Sequence, residues 1–144
     1  MKVFRRFLLP VLVYLVVSGC GDDKGTSSQD NLVPSVLVAS WTLTSGTVNG
    51  VQVPLATMLG WESRTTHAVL VIAAAGTYGY YEKDNDSAVV WQDSGAFGVS
   101  GSTFTLSGGQ IPIDGGQWSV SGTKLTLTMF ESGYTFVILA RRPG

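Results

Sequence analysis

From Val38 onward the chain is built on a period of two. In the run Ala39–Val48, Trp41 and Leu43 share one parity, while Ser40, Thr42 and Thr44 take the other. Such alternation lays one face of an extended strand on a core and turns the other to solvent. Asn49-Gly50 follows, a pair that favours a tight hairpin turn. Residues 65–73 form a second apolar strand, ended by Ala74-Ala75-Gly76. Thr77–Lys83 is a third, with Tyr78 and Tyr80 on one face and Tyr81 on the other. Asp84-Asn85-Asp86-Ser87 is turn chemistry. The fourth strand, 88–100, is expected to break or bulge near Ser94-Gly95, because glycine inside a strand pattern often marks a bulge. Strands five to eight cover 102–107, 117–121, 123–130 and Tyr134–Arg141. Thr, Val, Tyr, Phe and Trp dominate these runs, and Gly and Ser cluster between them. No stretch carries a convincing helical stripe. One short helical piece is expected at 54–59, inside the long connection 51–64, with Pro54 at its first turn.

An internal repeat sharpens the second half. Phe97-Gly98-Val99-Ser100-Gly101-Ser102-Thr103-Phe104-Thr105-Leu106 recurs as Trp118-Ser119-Val120-Ser121-Gly122-Thr123-Lys124-Leu125-Thr126-Leu127. Each copy reads as a strand, a Ser-Gly turn and a second strand. Successive hairpins of this kind make a meander. A meander of about eight strands covers its edges best by closing on itself. The expected fold is therefore all-β: a single up-and-down antiparallel β-barrel of about eight strands over residues 37–142. That length suffices for one core and not for two.

The first residues follow a different pattern. Lys2, Arg5 and Arg6 precede an apolar run at 7–17 that contains Pro10. A bilayer span needs about 20 apolar residues, so this run is too short to be one and fits a cleavable secretory signal. Val17-Ser18-Gly19-Cys20 resembles the bacterial lipobox. The resemblance implies diacylglyceryl transfer to the Cys20 thiol, cleavage before Cys20, and acylation of the new amine. Residues 1–19 are then the signal peptide and 20–36 a lipidated, polar tether of roughly 20 Å reach. Within it, residues from Leu32 on could dock against the domain. Cys20 is the sole cysteine, so an exported form has no internal disulfide. Two or more acyl chains hold a protein stably on its membrane. The expected location is the cell envelope, on the periplasmic face of the inner or outer membrane or at the cell surface. Gly21 followed by Asp22 and Asp23 leaves the choice of membrane open.

Removing the leader changes the charge. Lys24, Arg64, Lys83, Lys124, Arg141 and Arg142 remain against all ten acidic residues, so the mature chain is acidic. It has no basic cluster, and nucleic acid is not an expected partner. His67 is the single histidine. It shares the parity of Val69 and Val71 and reads as a packed or rim residue; no Ser spacing selects a triad with it. Zinc sites want several His or Cys ligands. The segment Glu82-Lys83-Asp84-Asn85-Asp86 has too few spaced oxygen ligands for a calcium loop, and Asp84 and Asp86 more simply cap a hairpin turn. Neither a metal nor a cofactor is expected, and the chain does not read as an enzyme.

The domain resembles the bacterial lipocalin-like domain. Leu37-Val38-Ala39-Ser40-Trp41-Thr42-Leu43 is similar to its opening strand, with Ala39 where a glycine is usual. Ala75-Gly76-Thr77-Tyr78 resembles its turn after the second strand, residues 117–127 its late hairpin, and 136–141 its last strand, which ends in a basic residue. The resemblance implies that Trp41 and Arg141 form a cation–π pair closing one barrel end. Arg142 is the alternative partner, because a shift of one residue moves to the other face.

Aromatic residues are the remaining lead. Tyr78, Tyr80, Trp91, Phe97 and Trp118 are the candidate ligand-binding residues; Phe104, Tyr134 and Phe136 extend the set. In a barrel, one parity of each strand faces inward. These rings either fill the core or line a cup for a small hydrophobic ligand. Met58 and Trp61, in the long connection, would be a lid or a plug. The leading expectation is a lipid-anchored, ligand-binding lipoprotein of the envelope. The alternative is a protein-interaction module, an inhibitor or assembly factor, with a filled barrel.

Overall fold

The computed structural model describes residues 32–144. The expected signal peptide, Cys20 and the expected tether as far as residue 31 lie outside the described residues. The elements run β1 (Ala39–Val48), β2 (Val51–Val53), α1 (Leu55–Leu59), β3 (His67–Ala73), β4 (Thr77–Lys83), β5 (Val89–Ser100), β6 (Thr103–Ser107), β7 (Ile113–Ser121), β8 (Lys124–Glu131) and β9 (Tyr134–Arg141). All pairings are antiparallel: β1 pairs with β2 and, past it, with β3, the strands from β3 to β9 pair in sequence order, and β9 returns to β1. Eight strands thus close an up-and-down barrel, and β2 is an extra strand folded onto β1. Closure removes the open edges that a flat meander would expose.

β1 makes the closure possible. Its first half, Ala39 to Thr42, pairs with β3, and its second half pairs with β9 from Thr42 to Val48. A bulge lies between Leu43 and Ser45. One extra residue shifts the strand's parity, so the inward set passes from Trp41 and Leu43 to Gly46. That glycine has a packing reason: a Cβ there would stand 2.5 Å from the ε-methyl of Met58, so its absence lets α1 lie against the strand. Asn49 and Gly50 take φ of 50° and 80° and turn the chain directly back. Val51–Val53 therefore pairs with Gly46 to Val48, a short strand where a plain connection was expected.

The repeat folds as two equivalent hairpins. Ser100 faces Thr103 and Phe97 faces Leu106; in the second copy Ser121 faces Lys124 and Trp118 faces Leu127. Two expectations about the strands need correction, one on a bulge and one on a boundary. β5 runs unbroken through Ser94-Gly95, which pair with Gly79 and Tyr78. Gly95 is there for close approach, since a Cβ would run into the Ser107 carbonyl. The irregularity on the β4–β5 ladder lies instead between Glu82 and Lys83. β7 also begins earlier than expected, at Ile113, with a register shift opposite Phe104 and Leu106.

One end of the barrel is closed by its own termini. Val33 and Leu37 are buried, so residues assigned in part to the tether pack on the domain. Trp41 is fully buried, and its Nε1 donates to the Leu37 carbonyl at 2.8 Å. The residue over the Trp41 ring is Arg142, 5.1 Å from the centroid, and not Arg141. Alternation along β9 decides this: Ala140 is buried inward, Arg141 points outward between Thr42 and Lys124, and Arg142 turns inward again. The Arg142 guanidinium also donates to the carbonyls of Val36, at 3.2 Å, and Gly122, at 3.5 Å.

Candidate functional site

The interior toward the other end is not filled. A cavity of about 710 Å³ reaches from Leu70, Phe97 and Phe104 to α1, the β6–β7 loop and the β8–β9 hairpin. Its wall is chiefly aliphatic and aromatic. Of the residues singled out in the sequence, Tyr78, Tyr80, Trp91 and Phe97 lie in that wall. The β-alternation brings them together, because Tyr78 and Tyr80 face inward on β4, and Trp91 and Phe97 do so on β5. Tyr80 and Trp91 meet edge to face at 5.7 Å, and Phe97 stacks on Phe104 at 5.8 Å. Trp118 does not belong to the wall. Its indole is drawn to the β5–β6 turn, where Nε1 donates to the Gly101 carbonyl at 3.1 Å.

Two buried carboxylates, Glu82 and Asp93, sit among these rings, 2 % and 6 % exposed. Both have local physical reasons. Asp93 accepts from the Tyr78 hydroxyl at 2.8 Å and from the backbone amides of Gln110 and Ile111 at 2.8 and 3.2 Å. It therefore pins the β6–β7 loop into the mouth. Gly109 allows this approach, since a Cβ there would meet both the Tyr78 hydroxyl and the Asp93 carboxylate. Glu82 accepts from the Glu62 amide at 3.1 Å and the Thr65 hydroxyl at 2.9 Å, both on Oε2. It ties down the connection that follows α1. The same connection is fastened by Trp61, whose Nε1 donates to the Tyr80 hydroxyl at 2.8 Å. Met58 and Leu59 form part of the cavity wall itself. The segment expected as a lid or plug is thus built into the mouth.

These surroundings act on the two phenols. Burial, then the hydrogen bond and charge of Asp93, push the Tyr78 pKa well above its usual value. Burial and the charge of Glu82 push Tyr80 up, and the bond from Trp61 offsets this in part. A pKa raised on folding means that the neutral phenol is the stabilised form. That stability is complete below the unfolded value, about pH 10, and is lost as pH rises through the folded values. Spectrophotometric titration should show these two tyrosines ionising late and together with loss of the fold. Replacing both with phenylalanine should remove the late component; a late component that persists would mean the two assignments are wrong.

Other candidates are placed elsewhere. His67 lies on the outward parity of β3, its Nδ1 3.2 Å from the Thr66 hydroxyl. Asp84 Oδ1 accepts from the amides of Asp86 and Ala88, both at 3.0 Å, and so caps the β4–β5 turn. Sequence reasoning did not single out Glu82 or Asp93 as part of a site. The signal was present: Tyr78, Tyr80 and Glu82 alternate on one strand, as do Trp91, Asp93 and Phe97 on the next. No protein-family model matches the chain, and no curated protein matches it in sequence.

Proposed function

We propose that this protein is a lipoprotein of the bacterial cell envelope, anchored through Cys20, that binds a small hydrophobic molecule in its barrel and catalyses no reaction. The observation that carries the binding part is the cavity. Its 710 Å³ falls in the range of roughly 300–1,000 Å³ usual for small-molecule sites. Its wall is apolar, with a few polar groups near the mouth, the usual composition of such sites. The anchoring part is supported by the leader and by Val17-Ser18-Gly19-Cys20. The chain reaches the barrel at its closed end, where Val33 and Leu37 pack. An anchor upstream therefore leaves the mouth at the end remote from the point of attachment. The interaction-module alternative presupposes a filled barrel and an exposed segment at 32–37. The cavity favours ligand binding over it; the segment does not separate the two readings, since Val33 and Leu37 are buried while Leu32 and Val36 are exposed.

Native mass spectrometry of the full chain, extracted from the membranes of its own host, tests both parts at once. The expected spectrum shows a chain that begins at Cys20 with acyl mass added, together with a co-purifying small molecule. Leu127 lies in the cavity wall and is 6 % exposed. Leu127→Trp would put an indole into the cavity, and the bound mass should disappear while the fold is retained. An unmodified Cys20 would sink the anchoring part. An empty barrel in the wild-type chain, unable to take up any apolar probe, would sink the binding part.

A further inference from the structure

The cavity wall has a marked charge bias. Among the described residues, its ionisable groups other than the two tyrosines are Glu82, Asp114 and Glu131; it contains no Lys, Arg or His. Asp114 and Glu131 are exposed, at the rim, whereas Glu82 is buried deeper in the wall. Glu82 is also fixed in place. Its two hydrogen bonds both end on Oε2, and Oε1 takes part in neither. Trp91 is its direct cross-strand partner, and Tyr80 meets the Trp91 ring edge to face. A carboxylate beside electron-rich aromatic faces is the chemistry that binds alkylammonium groups, by charge and by cation–π attraction. A carboxylate ligand in the same place would meet like charge in a poorly solvated site and would be disfavoured.

Resting on the reading of the barrel as a ligand-binding site, we infer that its ligand class is a cationic amphiphile: an apolar body in the cavity, with an amine or quaternary ammonium head against Glu82, Trp91 and Tyr80. The rim carboxylates Asp114 and Glu131 bias the approach in the same direction. Apolar contact alone would accept fatty acids, alcohols and amines of one length about equally, so the head group is where selectivity lies.

The test is equilibrium binding of three probes with the same chain to the full-length protein in lipid nanodiscs: nonyltrimethylammonium, 1-nonanol and nonanoate, with empty nanodiscs subtracted. The cation should bind at least about tenfold more tightly than the anion, a difference of about 1.4 kcal/mol. Glu82→Gln should bring that ratio down severalfold, and Trp91→Leu should lower it with the carboxylate still in place. Thermal melting checks that each variant is folded. If nonanol binds but the cation does no better than nonanoate, the head-group assignment is overturned and the ligand-binding reading survives. A ratio that is unchanged in folded Glu82→Gln also overturns it. If none of the three probes binds, the ligand-binding reading itself fails. The wild-type ratio decides the matter even where a variant does not fold.

Discussion

Trp41→Ala is expected to destabilise the barrel by about 3–5 kcal/mol, the usual range for truncating a large buried aromatic side chain. The indole is fully buried and spans the closed end, with Leu37 beneath its N–H and Arg142 over its ring. Its loss leaves a void that the surrounding ladder cannot collapse to fill, and leaves the Leu37 carbonyl without its donor. In a domain of about this size each kcal/mol is worth roughly 4–8 °C, so the melting temperature should fall by at least about 12 °C. Arg142→Ala removes the cation from the ring and two donors from the carbonyls of Val36 and Gly122. It should cost about 1–2 kcal/mol. Arg142→Lys should restore little of this, because a single ammonium cannot reproduce the planar fork. Arg141→Ala should stay within about 0.5 kcal/mol, as surface substitutions usually do. Melting curves of the four variants check the register directly. An Arg141→Ala variant as unstable as Arg142→Ala would mean that β9 is one residue out of place.

Asp93→Ala should be the second most damaging change, costing about 3 kcal/mol. Three donors converge on this carboxylate: the Tyr78 hydroxyl and the amides of Gln110 and Ile111. A buried donor deprived of its acceptor costs about 1–3 kcal/mol. The total is held below the sum because the freed loop can turn its two amides to water. Tyr78→Phe alone should cost about 1 kcal/mol, and less in the Asp93→Ala background, since the two share one interaction. Asp93→Asn should fall between wild type and Asp93→Ala, because its amide nitrogen cannot accept from the donors on its side. Hydrogen exchange gives the sharper readout. The amides of Gln110 and Ile111 should exchange at least about tenfold faster in Asp93→Ala, while the β8–β9 ladder is much less affected. Unchanged exchange at these two positions would show that Asp93 does not hold the loop. Because Gln110, Ile111 and Pro112 are part of the cavity wall, the same variant should release a bound apolar probe faster.

Most of the strand plan was legible because it is local. Alternation set the facing of Tyr78, Tyr80 and Tyr81, and the repeat marked β5–β6 and β7–β8 as two like hairpins, which the barrel folds in equivalent register. Asn49-Gly50 marked its turn by backbone preference alone. Four of the five aromatic positions proposed for ligand contact do line one cavity, since parity carries them inward together. Trp118 escaped the same reasoning. Its partner is the carbonyl of Gly101, on a turn that only the pairing of β6 with β7 brings near. The Arg141 assignment missed by one residue, because inward and outward exchange at every step and a family likeness at a strand end does not fix the count.

By itself, then, the amino-acid sequence determined an all-β domain, its turns, the parity of its strands and the closing of eight of them into one barrel. These follow from a two-residue period and from backbone preferences that act over a few positions. Only the tertiary structure decided that the interior stays partly empty, that Glu82 and Asp93 lie within it, and that Arg142 takes the Trp41 ring. Those outcomes depend on where ladders slip and which distant loops reach the mouth: the bulge after Leu43, the glycine that admits Met58, the amides that meet Asp93. Long-range register sums small local choices around a closed ring, and the volume left at its centre is the remainder of that sum.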